Sequence, residues 1–132
     1  MRIKNINWIY LYKHCGFTLL LGPIVSEILM YITISQPNKI VGLLEVYPIA
    51  IIFSLLFSSP TYILYAFLYY YLARTSINLN FAKVILISFA VIGVISTALI
   101  IKGSIMKDIA ISYSIASIIT GIFLKLKFKE NQ

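Results

Sequence analysis

Acidic residues and cysteine are scarce in this chain, and their scarcity excludes several kinds of site. The 132 residues include four Asp and Glu against eleven Lys and Arg, for a formal net charge of +7. Cys15 is the only cysteine, which excludes an internal disulfide and any metal site of several cysteines. The only histidine, His14, adjoins Cys15, so their side chains point in different directions on a helix. We therefore expect no catalytic residues, no metal site, no cofactor and no enzymatic activity, and we place His14 at the headgroup boundary.

Charged residues of either sign are also few. They make up 11% of the chain, hydrophobic residues make up 61%, and the mean hydropathy is +0.95. Water-soluble domains contain about 45–50% apolar and about 25% charged residues. This composition excludes an ordinary soluble domain and a disordered chain, and it predicts an integral membrane protein with residues 1–132 in one transmembrane domain.

Four long apolar stretches are present, each with the roughly 20 residues that a helix needs to cross a bilayer. We predict spans over residues 15–34, 46–73, 81–101 and 105–124. The stretches are continuously apolar rather than alternating, which favours helices over barrel strands. The connections are short, the longest over residues 35–45, and short connections make successive helices antiparallel. The predicted fold is an all-α, up-down bundle of four transmembrane helices.

The basic residues are unevenly divided between the two sides of the predicted bundle. Eight lie on the side of the two termini: Arg2, Lys4, Lys13, Arg74, Lys83, Lys125, Lys127 and Lys129. Three lie on the other side: Lys39, Lys102 and Lys107. The positive-inside rule then places both termini in the cytoplasm, and the residue usage indicates a multi-pass protein of a bacterial inner membrane.

This placement also identifies the expected partner of the basic residues. They flank the apolar stretches, so we expect them to contact anionic headgroups rather than nucleic acid. Aromatic groups at Trp8, Tyr10 and Tyr12 and at Tyr69–Tyr71 resemble interfacial belts, with rings at headgroup level. We expect residues 6–13 to extend the first helix along that interface.

Glu27 is the candidate for proton binding or transport. It lies in the first predicted span, where a charged side chain costs about 2.5–3.5 kcal/mol on insertion scales. Pro23 lies one turn before it, and Tyr31 lies one turn after it, within reach of the carboxyl. Two interpretations stay open: Glu27 binds a proton or ion on a pathway, or its carboxyl only ties the first helix to a neighbour.

Three tyrosines follow helical spacing on the second span, at Tyr62, Tyr65 and Tyr69. They are candidates to line a polar cavity or an aromatic cage for a cation. The alternative is that they fill the core with their hydroxyls hydrogen-bonded.

Small residues form a stripe on the fourth span, at Ala110, Ser114, Ser117 and Gly121. Steps of four, three and four residues keep them on one face, where helix backbones can approach closely. A second row, Ser112, Ala116 and Thr120, widens this surface. The stripe predicts helix packing within the bundle or between copies in a homo-oligomer.

Three functions from different classes are considered, and the third, an intramembrane enzyme, requires paired catalytic groups that the sequence does not supply. The first is a membrane protein that associates with a partner protein through its helices, without catalysis, as an immunity, defence-system or accessory component. The second is a small proton-coupled transporter or oligomeric pore that uses Glu27. In its length, four predicted spans and single acid of the first span, the chain resembles the small multidrug resistance transporters. That family's sequence signature around the acid is missing here, so the resemblance extends to architecture and Glu27 alone.

Overall fold

The computed structural model describes residues 6–34, 40–101 and 106–128. Within these ranges the regular structure consists of four helices: α1 (Ile9–Ile34), α2 (Ile40–Arg74), α3 (Leu79–Ile101) and α4 (Met106–Phe123). The all-α class is therefore confirmed. Basic residues at positions 2, 4, 39, 102 and 129 lie outside the described residues.

The first two helices are longer than the predicted spans. Helix α1 begins at Ile9, so the extension expected before residue 15 is helical from that point. Helix α2 begins at Ile40 and runs for 35 residues, about 52 Å at 1.5 Å per residue. The expected connection over residues 35–45 is therefore wrong for residues 40–45, because the apolar run from Ile40 to Leu44 continues the helix. Residues 35–39 lie outside the described ranges.

Both long helices continue through their prolines, Pro23 in α1 and Pro48 and Pro60 in α2. Serine hydroxyls in the turn before Pro60 donate to backbone carbonyls of the same helix. Ser59 Oγ donates to the Leu55 carbonyl at 2.7 Å, and Ser58 Oγ donates to the Ser54 carbonyl.

Neighbouring helices pack in the order α1–α2–α3–α4, and α4 returns to pack against α1. As the residue number rises along one helix, the number of the contacting residue on its neighbour falls, so neighbouring helices are antiparallel. The pairs are Asn7–Phe128 and Gly22–Tyr113 for α1 with α4, and Tyr65–Phe89 and Thr61–Thr97 for α2 with α3.

Polar side chains lie in the interior while many large apolar side chains face outward. Among the described residues the buried polar side chains are His14, Thr18, Ser112, Ser117 and Thr120. Large apolar side chains point outward from all four helices, for example Ile32, Phe67, Ile100 and Phe123. A water-soluble monomer seldom exposes so much contiguous apolar surface. By length and composition, Tyr47–Arg74 and Leu79–Ile101 are helices that can cross a membrane.

One end of the bundle is closed by aromatic rings, which we call the end cluster: Trp8, Tyr10, Tyr69 and Phe128. Tyr69 is fully buried and its hydroxyl donates to the Asn7 carbonyl. Tyr10 is 3% exposed, and burial raises the pKa of its hydroxyl to about 12. The interfacial-belt prediction is wrong for Tyr10 and Tyr69, because the segments before α1 and after α4 fold across their rings.

The outer tyrosines of the same two groups behave differently. Tyr12 is 72% exposed and Tyr71 is 67% exposed, so their rings face outward at this end of the bundle. That position is the one expected of belt residues.

Candidate ligand cavity

A cavity of about 360 Å³ lies between the helices. This volume is within the range of about 300–1,000 Å³ that is typical of small-molecule sites. All four helices contribute to its wall: α1 between His14 and Glu27, α2 between Tyr47 and Tyr65, α3 between Ala90 and Ile101, and α4 between Ile109 and Ser117. The wall is mainly apolar and aromatic, with a few polar groups.

Glu27 lies in this wall, and so does Pro23. Among the described residues of the lining Glu27 is the one acid, and its side chain is half-buried. Within the described ranges, no hydrogen bond or ion pair reaches its carboxyl. Tyr31 is 55% exposed and is not part of the cavity wall, so the hydrogen bond expected between Tyr31 and Glu27 is not formed. Among the described residues, then, nothing holds the Glu27 carboxyl in the cavity wall.

The three tyrosines of α2 are divided between two environments. Tyr62 and Tyr65 line the cavity, whereas Tyr69 belongs to the end cluster. Tyr62 therefore fits the cavity-lining interpretation of the tyrosine row, and Tyr69 fits the core-filling interpretation. Tyr65 has features of each, because it is 1% exposed and its hydroxyl is hydrogen-bonded.

His14 joins three helices at the inner end of the cavity. Its ring is 2% exposed, with Nδ1 2.6 Å from Tyr65 Oη and Nε2 3.0 Å from the Ser117 carbonyl oxygen. A carbonyl can only accept, so Nε2 carries the proton. In the neutral imidazole Nδ1 is then the acceptor, and the Tyr65 hydroxyl donates to it. Both nitrogens are used, and the ring links α1 to α2 and to α4.

Sequence reasoning missed this role of His14. The headgroup-boundary expectation treated it as a polar residue at the end of a span, but the helix continues past it in both directions. The available signal was Thr18, which lies one turn later on the same face. Thr18 Oγ1 lies 3.0 Å from Thr120 Oγ1, so the two polar residues of α1 meet α4 side by side.

Hydroxyl groups in the cavity wall bond mainly to the backbone of their own helix. Ser54 Oγ donates to the Ala50 carbonyl at 2.6 Å, and Thr97 Oγ1 donates to the Gly93 carbonyl at 2.8 Å. Because the Ser54 hydrogen is used in this way, Tyr113 is the donor in the short bond between their hydroxyls. These groups offer few free donors to a ligand.

Two tyrosines also connect helices across the cavity wall. Tyr47 Oη donates to the Leu20 carbonyl at 2.9 Å and joins α2 to α1. Tyr113 of α4 lies against Gly22 of α1, where an added Cβ would be 2.3 Å from the ring. Only glycine at position 22 leaves room for the Tyr113 ring in this position.

The small residues of α4 are packed within the chain. Ser117 is fully buried beside His14, and Gly121 lies against Ile87 of α3. Ala110 and Ser114 are half-buried. In the second row of small residues on α4, Ser112 and Ala116 are the most deeply buried, each 0% exposed.

No group of three His, Cys, Asp or Glu side chains lies close enough to hold a metal ion in the described part of the chain. The chain matches no protein-family model, no curated protein and no solved structure.

Proposed function

We propose that this chain is a multi-pass membrane protein whose four helices all cross the bilayer. The support is the outward-facing apolar surface together with helix length. At 1.5 Å per residue, the 26 residues of α1 extend about 39 Å and the 18 residues of α4 about 27 Å. Both lengths are close to the roughly 30 Å of the hydrocarbon core. The hydroxyls of α1 and α4 are buried between the two helices, as expected of polar groups in helices that are surrounded by lipid.

The proposed orientation has both termini in the cytoplasm of a bacterial cell, at its inner membrane. Antiparallel packing brings five described basic residues to the end-cluster side of the bundle: Lys13, Arg74, Lys83, Lys125 and Lys127. Lys107 lies at the opposite end, where α4 begins. The end of a membrane bundle with more basic residues favours the cytoplasmic side, where these residues contact anionic headgroups.

Within that membrane, the proposed function is proton-coupled transport of a ligand through the cavity. The observation that carries it is Glu27, the one acid among the described residues of the cavity wall. A carboxyl there can bind either a proton or a ligand group, and competition between the two couples their movement. The other titratable candidate in the described lining, His14, already has both ring nitrogens hydrogen-bonded.

Proton flux into proteoliposomes tests the proposal. The purified chain is reconstituted, a pH gradient is imposed, and internal pH is followed with a trapped dye for wild type, Glu27→Gln and Asp108→Asn. Asp108 is the matched control, because it is an acid outside the cavity lining. We expect flux in wild type and Asp108→Asn and its loss in Glu27→Gln. Equal flux in all three, or none in wild type, would reject the proposal.

Association with a partner protein stays a prediction. The small-residue rows on which it depended are packed against α1 and α3 within the chain, which leaves less of that surface for another protein. The outward faces of the helices are still available for a partner or a second copy. We therefore give transport precedence over association.

A further inference from the structure

We propose that the cavity holds the acyl chain of a bilayer lipid, which enters sideways along the first half of α2. The inference rests on the membrane placement under Proposed function, but it does not depend on proton coupling. It follows from how α2 packs, from the chemistry of the wall and from what closes the inner end.

In the part of α2 whose side chains are described, from Tyr47 onward, the buried side chains lie in the C-terminal third. Its buried side chains are Tyr65, Tyr69 and Leu72, and no side chain between Tyr47 and Leu64 is buried. Phe53 and Phe57 both line the cavity, yet they are 54% and 47% exposed. These two rings thus belong to the cavity wall and to the outward face at once. The cavity is continuous there with the surface that the bilayer would cover.

Apart from the Glu27 carboxyl, the wall suits hydrocarbon better than a polar solute. A sugar or an amino acid needs several free hydrogen-bonding partners to replace the water it loses, since a buried polar group without a partner is destabilising. Ser54, Ser58 and Thr97 donate to backbone carbonyls of α2 and α3 instead. The rest of the wall is mainly aliphatic and aromatic, which is the surface that an acyl chain needs.

The inner end of the cavity is closed by protein. His14, Tyr65 and Ser117 are each at most 2% exposed, and they are hydrogen-bonded or packed together there. The end cluster lies beyond them, with Tyr10 5.6 Å from the His14 ring between centroids. A chain that enters beside Phe53 and Phe57 therefore ends against His14.

Photochemical labelling by a phospholipid tests this directly. The wild-type protein is reconstituted with a phospholipid that carries a diazirine in the middle of one acyl chain, irradiated, digested and mapped by mass spectrometry. We expect adducts on the half-buried wall residues Tyr62 and Val94 as well as on the exposed Phe67. A lipid with the diazirine in its headgroup should leave Tyr62 and Val94 unmodified.

Two tryptophan variants, one inside the cavity and one on the outer surface, provide the matched comparison. Ala50→Trp places a large ring in the wall, and Ile100→Trp places the same ring on a residue that is 77% exposed. The first should lose the Tyr62 and Val94 adducts and keep those on Phe67, and the second should keep all of them. Adducts on Phe67 alone in the wild type would overturn the proposal, even if Ala50→Trp does not fold. Proton flux that requires Glu27 without these adducts would reject the lipid and leave the transport proposal standing.

Discussion

Replacing Gly121 by alanine should force α3 and α4 apart. An added Cβ would lie 2.4 Å from Ile87 Cγ1, 2.7 Å from Ile87 Cδ1 and 3.3 Å from His14 Nε2. Isoleucine has one strongly preferred χ1 in a helix, so Cγ1 cannot easily rotate away. Overpacking of this kind costs about 1–3 kcal/mol. The strain also falls on His14 and on its hydrogen bond to Ser117.

Gly16→Ala is the control for the change in helix propensity. Nothing lies within 4 Å of a Cβ at Gly16, which is also inside a helix. Alanine in a helix is favoured over glycine by about 0.5–1 kcal/mol, so Gly16→Ala should stabilise by up to that amount. Gly121→Ala has the same gain in helix propensity, but it also has the destabilisation from overpacking. The two variants should therefore differ by about 1–3 kcal/mol in free energy of unfolding.

Unfolding in mixed micelles measures this difference. Helix content by circular dichroism is followed as the mole fraction of sodium dodecyl sulfate rises, for wild type and both variants in one detergent. We expect Gly16→Ala at or above wild type and Gly121→Ala below Gly16→Ala. Equal midpoints for the two variants would refute the close packing of α4 against α3 at Gly121.

Two further predictions use the same unfolding assay. Tyr65→Phe removes the donor to His14 Nδ1 and leaves a buried acceptor unpaired, so we expect the free energy of unfolding to fall by about 1–3 kcal/mol. Tyr71→Phe, at an exposed ring, should change it little, and equal effects of the two variants would contradict the hydrogen bond between Tyr65 and His14. Glu27→Gln should unfold within about 0.5 kcal/mol of wild type, because no described group bonds the carboxyl, and a larger loss would assign Glu27 a structural role.

The helices were predictable because their signal is local. Continuous apolar stretches of 20 or more residues leave little choice but a helix, and all four were found. The start of α2 differs from the predicted span because the sequence places Ile40–Leu44 in a connection, although these residues are as apolar as those that follow. Helix ends depend on a few residues with weak preferences.

The site was predictable only in part, because it depends on which faces meet. Glu27 and Pro23 could be selected from their place in a span, and Tyr62 and Tyr65 from helical spacing. The burial of His14 could not, since it needs Tyr65 and Ser117, which lie 51 and 103 residues away along the chain. The burial of Tyr69 depends likewise on Phe128, which folds across the end of the bundle.

The proposed roles of Glu27 and of the acyl chain both require that the helices cross a bilayer in alternating directions. Thiol accessibility tests this most directly, in a Cys15→Ser background with single cysteines at Lys13→Cys and Lys107→Cys. Both lysines are exposed, and they lie at opposite ends of the bundle. In intact cells an impermeant maleimide should modify the cysteine at 107, and the one at 13 only after permeabilisation. Modification of both from the same side would contradict the account.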